Sequence, residues 1–88
     1  MKTKTWTVYK ADGTKEQIET TKKNELEMLQ KAVDGYIEGI TVQHDGRARR
    51  GYANEEGLLR GLPRNPFFPG FVGPIVARNA EKKVEQVS

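Results

Sequence analysis

The chain has 88 residues, of which 35% are hydrophobic and nine are glycine. A chain of this length folds as one domain with one core, and its high glycine content favours a loop-rich α+β fold over a helical bundle. It contains no cysteine, which excludes disulfides, thiolate zinc sites and a cysteine nucleophile. The net charge of +3 is mild and is typical of an ordinary solvated surface.

The chain opens Met-Lys-Thr-Lys-Thr-Trp with no apolar run behind it, so no signal peptide is expected. No segment approaches the roughly 18 apolar residues of a membrane span. We therefore expect a soluble, cytoplasmic protein without a membrane partner. Residues 1–78 are expected to form a single domain, and the polar residues 79–88 a frayed or disordered tail.

The N-terminal third begins with a strand. Residues 4–10 alternate in hydrophobicity, which predicts a half-buried strand with Trp6 and Val8 on one face. The residues 11–14, Ala-Asp-Gly-Thr, form a tight turn signal. Residues 16–20 then form either a returning antiparallel strand at an edge or an extended lead into the helix that follows.

One helix is predicted after residue 23. Asn24 is suited to the N-cap, with Glu27 three residues later in a capping-box arrangement. Gly35 is the expected left-handed residue beyond the helix end. One face of the helix packs against the rest of the chain through an apolar stripe, which consists of Leu26, Leu29 and Val33, thickened by Met28 and Ala32.

The second half of the chain predicts further strands. Residues 36–42 are rich in β-formers, and residues 47–53 are expected to pair back against them through a hairpin turn at 44–46. Residues 71–77 form a closing strand that Gly73-Pro74 interrupts, which favours an edge or a bulge. The predicted fold is α+β, a mostly antiparallel sheet of three to five strands with one helix packed on a face. Its predicted core consists of Trp6, Val8, Leu26, Leu29, Val33, Ile40 and Val42.

Arginine is concentrated in one part of the chain. Residues 46–64 contain five arginines and no lysine, and only Glu55 and Glu56 oppose them. Elsewhere the positive charge is largely lysine among glutamates. Because arginine offers a planar, multidentate fork that lysine lacks, this segment is the expected contact surface.

The arginine-rich strand divides its side chains between two faces. Alternation places Arg47 and Arg49 on one face, and Arg50 and Tyr52 on the other. The arginines could meet phosphates while Tyr52 stacks on a base. Alternatively, arginines on a strand protect an exposed sheet edge.

The residues 54–57, Asn-Glu-Glu-Gly, form a second candidate site. Two carboxylates and an amide at the end of a strand suit a hard cation, a polar ligand or a partner. The alternative is a turn in which Asn54 hydrogen-bonds its own backbone and Gly57 takes a positive φ. A metal site needs more ligands, and adjacent strand side chains point to opposite faces, so no metal is expected.

The sequence offers little for catalysis. His44 is the only histidine, and its place before Asp45-Gly46 in a hairpin predicts a solvated surface residue rather than an acid or base. No serine, threonine or lysine stands at a spacing that pairs a nucleophile with its base. We therefore expect neither an enzyme nor a cofactor.

Three phenylalanines, Phe67, Phe68 and Phe71, lie among prolines and a glycine. They suit a loop folded over the core, a knob that binds a partner, or the buried seam of a homodimer, since small domains often gain burial by association. The Asn65-Pro66 bond is compatible with either isomer.

Several short sequence words occur in a distinctive order. After the helix ending in Leu-Gln-Lys-Ala-Val-Asp-Gly-Tyr-Ile-Glu and an Asp-Gly hairpin come Asn-Glu-Glu-Gly at 54–57, Gly-Leu-Pro at 61–63, Asn65 and Val-Gly-Pro-Ile-Val at 72–76. Over residues 26–77 this order resembles the domain of unknown function family 3846, found in phages, large DNA viruses and mobile elements of bacteria. The resemblance implies a viral or phage accessory protein and supplies no chemistry to transfer. The arginine-rich strand is more basic than the family pattern, and residues 67–71 are more aromatic.

The combined expectation is a non-enzymatic binding module that engages a host protein or sequesters a small anionic molecule in the host cytoplasm. The alternative is a nucleic-acid-binding accessory factor, and a homodimer is compatible with both. The expected binding residues are Arg47, Arg49, Tyr52, Asn54, Glu55, Glu56, Arg60, Arg64 and Asn65.

Overall fold

A computed structural model describes residues 3–44 and 46–79. The turn residue Asp45 and, from residue 80 onward, the expected polar tail lie outside the described residues. The elements are β1 (Lys4–Tyr9), β2 (Lys15–Thr20), α1 (Glu25–Val33), β3 (Ile37–His44), β4 (Arg47–Asn54) and β5 (Ile75–Arg78).

The five strands form one antiparallel sheet in the order β2-β1-β5-β4-β3. A single helix in the described part of the chain packs against it, so the predicted α+β class is confirmed. The last strand, β5, lies in the centre of the sheet. The prediction of an edge or bulge for this strand was wrong because Pro74 precedes its first residue, and β5 therefore keeps all of its own N–H donors.

The β1–β2 hairpin settles the alternative left open for residues 16–20, since β2 returns along β1 from Tyr9↔Lys15 to Lys4↔Thr20 and forms one edge of the sheet. Its turn is held by the Asp12 carboxylate, which accepts hydrogen bonds from the Thr14 hydroxyl at 2.6 Å and the Thr14 N–H at 2.9 Å. Both hydrogen bonds lower the pKa of Asp12 below its ordinary value, and the bond from the hydroxyl has the larger effect.

Both ends of α1 differ from the expected capping. Asn24 occupies the N-cap position, but its side chain accepts a hydrogen bond from the Thr21 N–H at 2.7 Å, so no capping box with Glu27 forms. At the other end the left-handed residue is Asp34, with φ 62°, and not Gly35. An aspartate tolerates this conformation better than most side chains.

The sheet is covered on both faces, and the single predicted core is two clusters. On the helix-side face, α1 packs on a cluster of Trp6, Val8, Leu29, Val33 and Val76. On the opposite face, which we call the loop-side face, residues 62–74 close over a cluster of Tyr9, Val42, Ala53, Phe68, Ile75 and Ala77.

Three members of the predicted core were misplaced. Ile40 and Val42 belong to the loop-side cluster and not with Trp6, and Leu26 in the first helical turn is exposed. Strand alternation within β3 was read correctly, but only the assembled sheet decides which face meets the helix. The phenylalanines pack on the loop-side cluster, with Phe68 buried and the rings of Tyr9 and Phe68 meeting edge to face at 5.0 Å. The core alternative for these rings therefore holds.

Substituting the two helix leucines gives a matched test of this packing. Leu29 is 2% exposed and Leu26 is 59% exposed. Leu29→Ala should lower the free energy of unfolding by about 2–5 kcal/mol, because it leaves a cavity against the sheet. Leu26→Ala should change it by less than about 0.5 kcal/mol. Urea unfolding followed by far-ultraviolet circular dichroism measures both, and equal effects would show that the helix faces the sheet differently.

Candidate functional site

The structure divides the nine expected binding residues between two ends of the molecule. The strand β4 spans eight residues, which corresponds to about 24 Å between its ends. Arg47, Arg49, Tyr52 and Asn54 lie on β4 itself, whereas the other five follow the C-terminal end of this strand. The expected Arg47–Asn65 surface is therefore not one continuous patch.

Asn54 is a buried structural residue. Its side-chain amide donates hydrogen bonds to the carbonyls of Val33 at 2.9 Å and Asp34 at 3.1 Å, where the helix leaves its carbonyls without intrahelical partners. Its oxygen accepts the Glu56 N–H at 2.7 Å, which closes a turn. A Cβ at Gly35 would lie 2.7 Å from the Asn54 amide nitrogen, so a glycine there allows the contact.

Arg60 acts at the same helix end. Its guanidinium donates to the Asp34 carbonyl at 2.9 Å and lies 3.5 Å from the Asp34 carboxylate. A cation at a helix C-terminus also interacts favourably with the helix dipole. Arg60 therefore serves the fold by satisfying the end of α1.

Asn65 is fully buried, and all of its side-chain hydrogen-bonding groups are engaged. The amide donates to the carbonyls of Tyr9 at 2.8 Å and Gly73 at 2.9 Å. The oxygen accepts the N–H groups of Phe67 at 2.9 Å and Phe68 at 3.2 Å. No capacity remains for a ligand. The following bond to Pro66 is trans, since no cis peptide occurs among the described residues.

The remaining members of the 54–65 group are exposed and scattered. Glu55 and Glu56 face solvent. Arg64 is exposed as well, and its backbone forms an isolated β-bridge with Val72. No group of three or more His, Cys, Asp or Glu side chains within residues 3–44 and 46–79 is placed to hold a metal ion.

The other end of the molecule carries an open, basic surface. β4 pairs with β5 at Gly51, Tyr52 and Ala53 only, so residues 47–50 pair with β3 alone among the described strands. We call this part, residues 41–50, the β3–β4 ribbon. A shallow concavity of about 510 Å³ lies against it, lined by Gly39, Ile40, Thr41, Ala48, Arg49, Arg50 and Tyr52.

Strand register brings two arginines together on the helix-side face. The β4–β5 ladder ends with the pair Gly51 and Ala77, and extending its register by one step would bring Arg50 opposite Arg78. A Cβ at Gly51 would lie 2.9 Å from the Val76 carbonyl oxygen, so glycine permits this close approach of the two strands. Like charges at opposite positions of a sheet are destabilising, and an anion bound between them would relieve that repulsion.

Aromatic rings border the two arginines. Arg78 pairs across the sheet with Trp6, and its guanidinium carbon lies 5.7 Å from the indole centroid. Tyr52 lies 5.7 Å from the same indole, ring centroid to ring centroid. On the other side, Arg50 pairs with Thr41. We call the line Trp6, Arg78, Arg50 and Thr41, which crosses four strands on one face, the arginine row.

One atom of the arginine row lacks a partner. The Nε of Arg78 is buried, and no hydrogen-bond acceptor meets it within the described part of the chain. A buried donor without an acceptor costs on the order of 1–3 kcal/mol. The arginine row therefore combines neighbouring positive charges, an unused donor and aromatic surface.

Comparison with models of protein families shows which family the chain belongs to. A family model described as Domain of unknown function (DUF3846) matches residues 5–86. The chain belongs to this family. No curated protein and no solved structure matches it. The residues that carried the resemblance in this DUF3846 member, including Asn54 and Asn65, are those that hold its irregular segment in place.

No helix in the described part of this DUF3846 member is both long and apolar enough to cross a membrane.

Reasoning from sequence missed Arg78 and left Arg50 out of the expected binding residues. Strand alternation places Arg50 with Tyr52 on one face, and the sequence suggested only a contact with phosphates for it. Arg78 carries no sequence signal, because its position next to β4 follows from the central place of β5. Arg47 and Arg49, which were expected to bind, lie on the opposite face, where Arg49 pairs with Val42 of the loop-side cluster.

Replacing Asn65 with aspartate tests its structural role. The change keeps the acceptor for Phe67 and Phe68 but turns a carboxylate toward two carbonyls, so the free energy of unfolding should fall by about 3 kcal/mol or more at pH 7. Burial beside carbonyls raises the pKa of the introduced carboxyl. The deficit should therefore shrink as the pH falls through the raised pKa of the folded state, and it should level off below about 3, where the carboxyl is protonated in both states.

Chemical unfolding at several pH values, compared with wild type, measures this effect. Arg64→Ala is the control. The Arg64 side chain is next to Asn65 in the chain but exposed, so its removal should change the free energy of unfolding by less than about 0.5 kcal/mol. An Asn65→Asp protein as stable as wild type at pH 7 would contradict the structural role.

Proposed function

We propose that this DUF3846 member is a non-enzymatic binding module for a small anionic molecule that carries a phosphate and a planar ring. A nucleotide is the simplest ligand of this class. The binding site that we propose is the arginine row together with Tyr52 and the concavity beside it.

The β4–β5 register, whose next step after Gly51 and Ala77 joins Arg50 and Arg78, is the observation that carries this proposal. Two guanidinium forks side by side match the several oxygens of a phosphate group, which accept charge-assisted and often bidentate hydrogen bonds. The Arg78 Nε is buried, so the anion would meet the terminal nitrogens of the two guanidinium groups. The anion thus offsets the like-charge repulsion.

Shape and aromatic surface extend the argument to the rest of the ligand. The concavity of about 510 Å³ has the size of common small-molecule sites. The small residues Gly39 and Ala48 flank Arg50 and Tyr52 on the two strands, which leaves the concavity open between them. A planar ring bound there would lie against Tyr52, and ring stacking of this kind stabilises nucleobases by about 1–3 kcal/mol.

Nucleic-acid binding is the second candidate, and one observation favours it. Arg47 and Arg49 place further positive charge on the loop-side face of the β3–β4 ribbon. A mononucleotide in the concavity would not reach Arg47, whereas a strand of nucleic acid wrapping the ribbon would contact both faces.

The setting that we propose is the cytoplasm of a host cell, where the protein would act as a phage or viral accessory factor. The family resemblance supports this setting, and the chemistry proposed for the arginine row does not depend on it.

Calorimetric titration with adenosine monophosphate tests the site, and the fluorescence of Trp6, the only tryptophan, reports binding at the arginine row. Arg50→Gln should weaken binding by about tenfold to a hundredfold, because it removes a charged hydrogen-bond donor. Arg50→Lys should fall between this variant and wild type, since it keeps the charge but not the fork. Arg47→Gln, on the opposite face, is the matched control and should bind like wild type. Equal losses for Arg50→Gln and Arg47→Gln, or no binding by wild type, would refute the proposal.

The nucleic-acid alternative gives a different pattern. Binding of a short oligothymidine should weaken steeply with salt if several phosphates are neutralised, by roughly tenfold or more between about 50 and about 200 mM. Arg47→Gln and Arg49→Gln would then weaken binding as much as Arg50→Gln. If the module takes a small ligand, the oligonucleotide should instead bind weakly, and Arg47→Gln should match wild type.

A further inference from the structure

The two edges of the sheet are built differently. The outer strand β2 reads Lys-Glu-Gln-Ile-Glu-Thr and carries three charged side chains in six residues. The outer strand β3 reads Ile-Glu-Gly-Ile-Thr-Val-Gln-His, eight residues with Glu38 as the only acidic or basic side chain apart from the terminal histidine. Charged side chains are a common device by which proteins keep an edge from pairing with another strand. β2 has this protection and β3 lacks it.

Beyond β3 the described part of the chain supplies no further strand. Its outward backbone groups form a long template that another strand could join. A second copy of β3 is the occupant that best fits the charged and apolar residues of this edge.

Symmetry limits the register of such a pair. Two copies joined edge to edge in antiparallel fashion are related by a twofold axis perpendicular to the sheet. Residues that lie opposite each other in the two copies then have their side chains on the same face of the sheet, so their residue numbers must both be even or both be odd. The axis must therefore lie level with one residue, which then faces its own copy, and not between two successive residues. Only Ile40 and Thr41 lie close enough to the middle of β3 to pair seven of its eight residues.

Charge and apolar pairing choose between these two registers. With Thr41 on the axis, Glu38 of one copy comes opposite position 44 of the other, next to Arg47, and Ile40 comes opposite Val42. With Ile40 on the axis, Glu38 would come opposite the apolar Val42. Apolar pairs and threonine pairs each stabilise cross-strand positions. Both favour the Thr41 register.

We propose that the protein forms a twofold symmetric dimer through antiparallel pairing of β3 with β3, with Thr41 on the axis. The pairing makes a continuous sheet of ten strands. Ile40, which is only partly buried in one copy and packs on the loop-side cluster, gains a neighbour from the other copy. Dimerisation through the edge of β3 does not require the proposed ligand.

Dimerisation would bring the two proposed binding sites into line. Because Thr41 pairs with Arg50 within each copy, the axis at Thr41 aligns the arginine rows of both copies end to end. Three strand intervals separate Arg50 of one copy from Arg50 of the other, about 14 Å. This distance exceeds the screening length of roughly 8 Å at physiological salt, so the two arginines do not oppose the pairing.

Sedimentation equilibrium of the full chain tests the dimer without any ligand. We expect wild type to pass from monomer to dimer between about 1 μM and about 1 mM. Thr41→Lys places two like charges opposite each other on the axis and should weaken association by about tenfold or more. Gln17→Lys, at the middle of the other edge strand, is the matched control and should associate like wild type. Thr41→Val keeps the edge neutral and should also dimerise. Circular dichroism confirms that each variant remains folded.

Three results would overturn the inference. Wild type could stay monomeric over the whole range, or Gln17→Lys could weaken association as much as Thr41→Lys. A monomeric wild type that dimerises once residues 80–88 are removed would assign the β3 edge to the chain's own terminus. If Thr41→Lys does not fold, Glu38→Lys provides the second variant. It places a basic side chain in place of an acidic one opposite position 44 of the other copy, two strands from Arg47, and should likewise weaken association.

Discussion

The structure depends on the hydrogen bonds of a single buried side chain, Asn65. Its amide joins the carbonyl at the end of β1 to the turn before β5, and its oxygen holds the backbone that carries Phe67 and Phe68. The segment from 55 to 74 forms none of the named strands or helices, so a side chain must supply bonds that a regular element would supply from its backbone. Asn65 holds this segment in place. The phenylalanines of the segment cover the loop-side face, and β5 lies in the centre of the sheet.

Asn54 repeats this solution at the other end of the same segment. It binds the last carbonyls of α1 and the turn that follows β4, so one amide couples the helix to the sheet. A buried amide with all its groups satisfied adds rigidity, whereas one left unpaired would cost more than it contributes. Two asparagine side chains therefore supply hydrogen bonds at both ends of the irregular segment.

Local patterns predicted the local structure well. Alternation identified the hairpin strands, and the spacing of Leu29 and Val33 identified the helix and its buried side. What failed was long-range. Nothing near Ile40 tells which face of the sheet α1 will cover, and nothing near Arg78 tells that β5 will insert between β1 and β4. The candidate site suffered from the same gap, because the arginine row is made of one residue from each of four strands. The asparagines were taken for binding residues because a buried amide and a ligand-binding amide look alike in sequence.

Two kinds of polar residue differ in what their side chains contact. Asn54, Asn65 and Arg60 make their hydrogen bonds to backbone groups and so leave little for a ligand. Arg47 and Arg50, by contrast, are exposed on β4 beyond its last pair with β5. Like charges at opposite positions of a sheet oppose folding slightly, and the β4–β5 register would bring Arg50 opposite Arg78 at its next step. This pair and the sparsely charged edge of β3 are the two features on which the proposed contacts outside the single chain rest.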